Sequence, residues 1–447
     1  MVFRKEWLMA SATAVITLAI SLAVIRWLAP QLLGIPVDLQ MVSVDEKVSP
    51  FYEAVFREKD LSSKGFLLKD PYSGIRARPL FPRRITMGPN DLLGFRNPSV
   101  PNVADVVIVG DSQTYGNNAD IDQNWPAHLR TAMKDQSPIV YNMSVGGWGA
   151  VQYAYAAEKA AAFRPHLMII SFYTGNDPLE SFIVAYNNEH WKEFRPDPSI
   201  TSADIPRLEL DTIPIRFNDG ITTVFTPKTR YTSNMDHEAV ETGYKIMAES
   251  ARRITKANSI NGIRTLFTII PTKELVYESK ILKENIDVSE SYRLLVSAEK
   301  NNINNLKKEI ADIPQALYID VVNPLKKAAL GSTPLYTETA DGHPIANGYQ
   351  VIGRTVANAI QDLMPPPKEG VYQLPITSKM SKYFLVDDNK LRVFKNADVT
   401  EKNGWDCESA PIIADRDLAI FKFTGTIVEV NQNRYGPTRN TTAINER

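Results

Sequence analysis

Short apolar runs recur through the middle of the chain, and none alternates apolar with polar positions. They are VADVVIVG (103–110), PIVYNM (138–143), HLMIISFY (166–173), IRTLFTII (263–270) and ALYIDVV (316–322). Helix-like stretches lie between and after them: WPAHLRTAMKD (125–135), AVQYAYAAEKAAAF (150–163), His237 to Lys256, SAEKNNINNLKKEIAD (297–312) and ANGYQVIGRTVANAIQDLM (346–364). The last stops at Pro365-Pro366-Pro367. A strand covered on both faces needs no period of two, so the pattern predicts a parallel sheet with helices on each side. That is a doubly wound α/β domain. Such sheets hold ligands beyond the carboxyl ends of their strands, so chemistry is expected just after each apolar run.

Other regions break the alternation. Residues 178–236 read as an insertion rich in aromatic and acidic residues. Tyr186, Trp191 and Phe194 within it would either line a cleft or pack the insertion onto the domain, the second being the commoner use of such side chains. Residues 366–447 read as a small β-rich region, with a hairpin in YFLVDDNKLRVF (383–394) turned by DNK. Residues 29–100 are irregular and Pro-rich and read as a stalk and lead-in segment, leaving 101–365 as the main domain.

The first 28 residues predict a membrane anchor. The run from Trp7 to Ile25 carries no charge and would span about 28 Å as a helix, close to the hydrocarbon thickness. A cleaved signal peptide is the competing reading. Its apolar region is usually shorter and ends at small residues, whereas Arg26, Trp27 and Leu28 follow here. Arg4 and Lys5 before the span, against Arg26 after it, bias the N-terminus to the cytoplasmic side. The expectation is a single-pass protein of the inner (plasma) membrane, with the rest of the chain extracytoplasmic.

Composition narrows the picture little. The chain has 447 residues, enough for one large domain plus additions, and a net charge of −1. No bulk basic field points to nucleic acid. Cys407 is the sole cysteine, which excludes an intramolecular disulfide and a cysteine-based zinc site. No His/Asp/Glu grouping has metal-ligand spacing, so neither a catalytic metal nor a cofactor is expected. His128, His166, His190 and His237 carry no motif and read as structural.

Candidate chemistry sits where the sheet would place it. Gly110-Asp111-Ser112 follows the first run, SVGGWG (144–149) the second, Thr174-Gly175-Asn176-Asp177 the third, and Asp341-Gly342-His343-Pro344 precedes the last helix. Gly-Asp-Ser is by itself a turn sequence. Together the four blocks suit acyl transfer. A serine hydroxyl needs a base to take its proton, and His343 can serve Ser112. Asp341 can hold the imidazole tautomer and stabilise the imidazolium. A tetrahedral oxyanion needs preorganised donors. The backbone N–H of Ser112, the N–H of Gly147 and the side-chain amide of Asn176 can supply them. Asn176 and Asp177 would otherwise be helix caps.

These ordered blocks resemble the SGNH (GDSL-like) hydrolase superfamily over about residues 90–363, and NDLLGFRNP, with Gly94, Phe95 and Arg96, resembles a segment upstream of the nucleophile in some members. The resemblance implies a flavodoxin-like three-layer fold, Ser112 as nucleophile, His343 as base, and Gly147 and Asn176 in the oxyanion hole. Two departures matter. The position three before the histidine, where many members carry the acid, is Ala340. Asp341 stands two before, a spacing also seen in relatives acting on acetylated glycans, with Glu338 as the alternative. Ser144 stands where relatives often have glycine, which leaves Gly146 as the alternative to Gly147. The expectation is an esterase acting on O-acyl, chiefly O-acetyl, groups of an envelope glycan or lipid. The alternatives are an O-acetyltransferase, with a membrane acyl-donor protein as partner, and a non-catalytic glycan-binding protein.

Overall fold

The computed structural model of the chain describes residues 66–84, 87–134, 138–200, 211–230, 237–363, 370–377, 380–387, 390–402, 407 and 422–427. The expected anchor, the first part of the expected stalk (29–65) and the triple proline lie outside the described residues. Among the described residues no helix is long and apolar enough to cross a membrane.

The chain first makes a small hairpin, β1 (Leu67–Asp70) with β2 (Gly74–Ala77). β3 (Val106–Gly110), β4 (Val140–Asn142) and β5 (Leu167–Tyr173) follow, then a second hairpin, β6 (Ile213–Arg216) with β7 (Thr222–Phe225). β8 (Arg264–Ile270) and β9 (Ala316–Ile319) complete the main sheet. Its order is β4-β3-β5-β8-β9 and every pairing is parallel. By first appearance that is 2-1-3-4-5, the flavodoxin-like order, with its topological switch point between β3 and β5. Every residue of β3 and β5 is buried, which is why their sequences show no alternation.

Among the described residues, ten helices accompany this sheet between β3 and the C-terminal region: α1 (Ser112–Tyr115), α2 (Trp125–Ala132), α3 (Ala150–Ala160), α4 (Asp177–Asn187), α5 (Glu238–Ile260), α6 (Lys273–Val276), α7 (Glu278–Glu284), α8 (Glu290–Ala311), α9 (Val322–Ala329) and α10 (Ala346–Ile360). α2 packs against α10, while α5 packs against α3, α4 and α8. Those two groups are the layers that right-handed crossovers build on opposite faces of a sheet in this order. Caps begin several helices where the sequence allows: Asn124 accepts from the N–H of Ala127, and Ser289 from that of Tyr292.

Several elements differ from the sequence reading. The helix expected at 297 begins at Glu290, one residue after its serine cap. The stretch 178–236 is not all insertion, because α4 follows directly on β5 and packs against α3 and α5. Trp191 and Phe194 are buried in packing: the Trp191 ring meets Tyr155 at 5.8 Å and Phe194 at 5.7 Å, and its Nε1 donates to the Tyr72 carbonyl at 2.6 Å. Tyr186 stacks on Phe182 at 4.5 Å. From Phe66 onward the irregular lead-in is folded against the domain, with Asn90, Asp91, Arg96 and Asn97 all buried. In the C-terminal region β10 (Gly370–Thr377), β11 (Met380–Asp387), β12 (Lys390–Phe394) and β13 (Lys422–Ile427) form a four-stranded sheet. Asp387 pairs with Lys390 in the hairpin expected there.

Candidate active site

Gly110 ends β3 where no side chain fits: a Cβ would lie 2.4 Å from Thr114 Oγ1 and 3.1 Å from the Ser171 carbonyl. The chain then turns into α1, with Asp111 as the cap accepting from the N–H of Gln113 at 2.9 Å. One turn later Gly116, at φ +92°, stops the helix. This strand–turn–helix unit holds Ser112 at the switch point. The Ser112 hydroxyl lies 2.8 Å from His343 Nε2, and His343 Nδ1 lies 2.6 Å from Asp341 Oδ1. The backbone N–H of His343 also donates to Asp341 Oδ1, at 2.9 Å. A carboxylate has no proton to give, so Nδ1 carries the hydrogen and Nε2 is left to accept from Ser112. Asp111 Oδ2, at 3.4 Å, is the more distant acceptor for that hydroxyl.

Electrostatics separates the two aspartates. Burial pushes the Asp111 carboxyl up to about 6, against the hydrogen bond from Gln113 and the charge of His343. Burial also acts to raise Asp341, but the hydrogen bonds and charge of His343 outweigh it and hold that carboxyl well below the usual range. Asp341 is therefore the ionised partner of the imidazole. Glu338, the alternative acid, is exposed and makes no bond to His343.

The loop after β4 runs back beside the end of β3, through Met143 N–H to the Ile108 carbonyl and Val145 N–H to the Gly110 carbonyl. Gly146 faces Ser112: a Cβ on it would lie 3.5 Å from Ser112 Cβ. Gly147 is left-handed, at φ +80°, a conformation that favours glycine. Among the described residues the N–H groups of Ser112, Gly146 and Gly147 have no protein acceptor. Asn176 occupies the cap position of α4, yet its side chain makes no capping bond, and its Oδ1 is buried without a protein partner. Its neighbour Asp177 has the structural task, accepting from the Tyr173 N–H at 2.8 Å and the Tyr153 hydroxyl at 2.9 Å. Gly110 pairs with Ser171, so the loops after β3 and β5 emerge side by side. The charge of Asp111 accordingly adds to the burial that raises Asp177.

Several supports were not visible in the sequence. Asn118, left-handed at φ +64°, donates to the His343 carbonyl at 3.4 Å and hydrogen-bonds the Asp341 carboxylate. Arg96 donates to the carbonyls of Gly88, Gly116 and Ala119, which fastens the loop carrying Asn118. Arg230 lies over Gly342, where a Cβ would come within 2.5 Å of its Nη2. Gly-Phe-Arg was legible as a motif, but its task depends on which carbonyls the fold brings to the guanidinium. None of the other four histidines hydrogen-bonds Ser112. His237 caps α5, accepting from the N–H of Ala239, and His190 packs edge-on against Tyr72.

No family model matches the chain, and no curated protein matches it. Among solved structures, TesA is 14% identical, with 58% of this chain and 99% of that one covered and a TM-score of 0.32. The acetylxylan esterase Axe2 of Geobacillus stearothermophilus is 10% identical, covering 59% and 95%, at 0.33. The C-terminal catalytic domain of Streptococcus pneumoniae peptidoglycan O-acetyltransferase A is 12% identical, covering 59% and 96%, at 0.29. Likeness at this level carries no chemistry; the side chains at the switch point must do so.

Proposed function

We propose that this chain is a serine esterase of the SGNH type that cleaves O-acyl, chiefly O-acetyl, groups of a cell-envelope glycan or lipid through an acyl-enzyme on Ser112. The observation that carries the reading is the unbroken relay from Asp341 through His343 to Ser112. His343 Nε2 takes the serine proton as Oγ attacks the acyl carbonyl. The N–H groups of Ser112 and Gly147, and the Asn176 amide, receive the oxyanion; Gly146 stands close enough to share that task. When the intermediate collapses, the imidazolium returns its proton to the departing sugar oxygen. Asp341 stays ionised throughout and balances the imidazolium. Water, activated by the same imidazole, then frees the enzyme.

If a sugar hydroxyl replaced water in that last step, the protein would be an O-acetyltransferase. Acetate release from an acetylated glycan, against acetyl transfer from an activated ester to a deacetylated glycan, separates the two. Absence of Ser112-dependent turnover in both assays would leave only the glycan-binding alternative and sink the enzyme reading.

Asn176→Ala tests the oxyanion hole. Turnover should fall by about 10²-fold, the usual loss for one such donor. The melting temperature should stay near wild type, because the Asn176 side chain makes no capping bond to lose. An equal fall in stability and activity would return Asn176 to a structural role.

The apolar run from Trp7 to Ile25 supports a location on the outer side of the inner membrane, near envelope glycans. High-salt washing should leave the protein in the membrane fraction and detergent should release it. Release by salt alone would refute the anchor.

A further inference from the structure

A buried lysine stands behind the loop that carries the acid and base. Lys273 opens α6 immediately after the end of β8, and no part of it is exposed. Its ammonium donates to the main-chain carbonyls of Thr339, at 2.7 Å, and Asp341, at 2.9 Å. Among the described residues no carboxylate lies within ion-pair distance of it. Burying an ammonium is costly unless it is hydrogen-bonded. A methionine would fill the same space without that cost, so the charge is retained for what it holds. Burial, with Arg230 nearby, pulls the lysine pKa down to about 8, against the attraction of Glu274 and Asp341.

What it holds has little structure of its own. Between the Tyr336–Pro344 bridge residues the chain is bends, and Glu338, Thr339 and Ala340 are exposed. Within the loop, Thr337 Oγ1 meets Thr339 Oγ1 at 2.8 Å and the Asp341 N–H donates to Thr339 Oγ1 at 3.3 Å, beside the two Asp341–His343 bonds. From outside, neutral donors reach three of its carbonyls: the Thr223 hydroxyl that of Thr337 at 3.2 Å, Gln113 Nε2 that of Gly342 at 3.5 Å and Asn118 Nδ2 that of His343 at 3.4 Å; Lys273 brings the charged one. Asp341 fixes His343 through two bonds to one oxygen, so wherever the Asp341 backbone goes the imidazole follows.

We propose that Lys273 is a positioning residue: its ammonium clamps the backbone at Thr339 and Asp341, and so keeps the Asp341–His343 pair in line with Ser112. This rests on the serine-enzyme reading. Removing the clamp lets the loop ride outward, and a displacement near 1 Å is enough to cost about 10²-fold in rate.

The test is Lys273→Met in the full-length protein in detergent, with Lys273→Gln, which keeps a shorter donor, as the second variant should Met not fold. Three quantities are read: hydrogen exchange of the peptide spanning 336–345, kcat and KM for p-nitrophenyl acetate, and the rate of fluorophosphonate labelling. The expected result for Met is exchange in 336–345 faster by about tenfold, with β3 and β5 peptides unchanged. Its kcat and labelling rate should fall by about 10- to 100-fold with KM within about twofold of wild type. Gln should fall between Met and wild type. Wild-type exchange in 336–345 together with wild-type kcat would overturn the proposal. So would faster exchange spread through β3 and β5, which would make Lys273 a general stabiliser. If the wild type itself neither labels nor turns over, the serine-enzyme reading fails, and the exchange difference alone decides whether Lys273 holds the loop.

Discussion

Ser112→Ala is expected to end fluorophosphonate labelling and to lower turnover of an acetyl ester by about 10⁶-fold, the loss seen when a triad nucleophile is removed. The size follows from what remains. Asp111 is within 3.4 Å of the serine oxygen but is a cap, with one oxygen engaged by Gln113, and offers no nucleophile in place of the hydroxyl. The residue after the change would be the oxyanion donors and an imidazole with no serine to deprotonate. Folding should survive, because the cap of α1 is made by Asp111 and alanine is a good helix former at the first position. A circular dichroism spectrum and melting curve like wild type, beside absent labelling, is the required pair. A variant retaining a tenth of the activity would show that the ester-cleaving centre lies elsewhere.

Asp341→Asn should cost about 10⁴-fold in kcat, as loss of the carboxylate does in other serine triads. An amide can still accept from His343, but it carries no charge to balance the imidazolium that forms when Ser112 gives up its proton. It can also turn its NH₂ toward Nδ1 and force the tautomer whose Nε2 is protonated, which cannot accept from the serine. The pH dependence has a definite sign. The folded-state pKa of Asp341 is lowered, so the stability it contributes is present above the unfolded carboxylate range, near 4, and is lost only as pH falls through the depressed value. Wild type should therefore keep its Asp341–His343 pair intact across the neutral and mildly acidic range. The variant should be slow at every pH in that range rather than merely shifted along it. Because the Asp341 side chain is 38% exposed, its melting temperature should change far less than its rate. A variant with more than a tenth of wild-type kcat would make Asp341 a loop ligand rather than the third member of a triad.

The strands of the sheet were legible because burial on both faces leaves a plain trace: VVIVG is wholly apolar, and LMIISFY is broken only by Ser171 and the Tyr173 hydroxyl, with no charged residue in either. Their lateral order was not legible, since strand neighbours are chosen by crossovers and not by any residue within a run. The lead-in from Phe66 to Val100 reads as irregular for a related reason. Its stability comes from side chains bonded to distant backbone, as in Asn97 to the Asn142 N–H and carbonyl, and no periodicity records such bonds. The blocks around Ser112, Asn176 and His343 were readable because each is a short polar break after a strand or before a helix. Arg96, Lys273 and Asn118 acquire meaning only through carbonyls that lie 20, 68 and 225 positions away, in the bonds to Gly116, Asp341 and His343. Asn176 shows the limit most plainly. The sequence allowed cap or oxyanion donor, and the absent capping bond is a fact of rotamer and backbone angle that residue type does not carry.

Ser112 and His343 are separated by 231 residues, and β5, β8 and β9 all form between them. At the usual pace of protein synthesis the base emerges from the ribosome roughly 10–50 s after the nucleophile. Throughout that interval the serine is an ordinary alcohol at the tip of a half-built sheet. On the proposed reading, reactivity is thus tied to completion: a truncated or stalled chain would carry the serine but no imidazole to ionise it, and would be harmless to the esters around it until the segment bearing His343 docks.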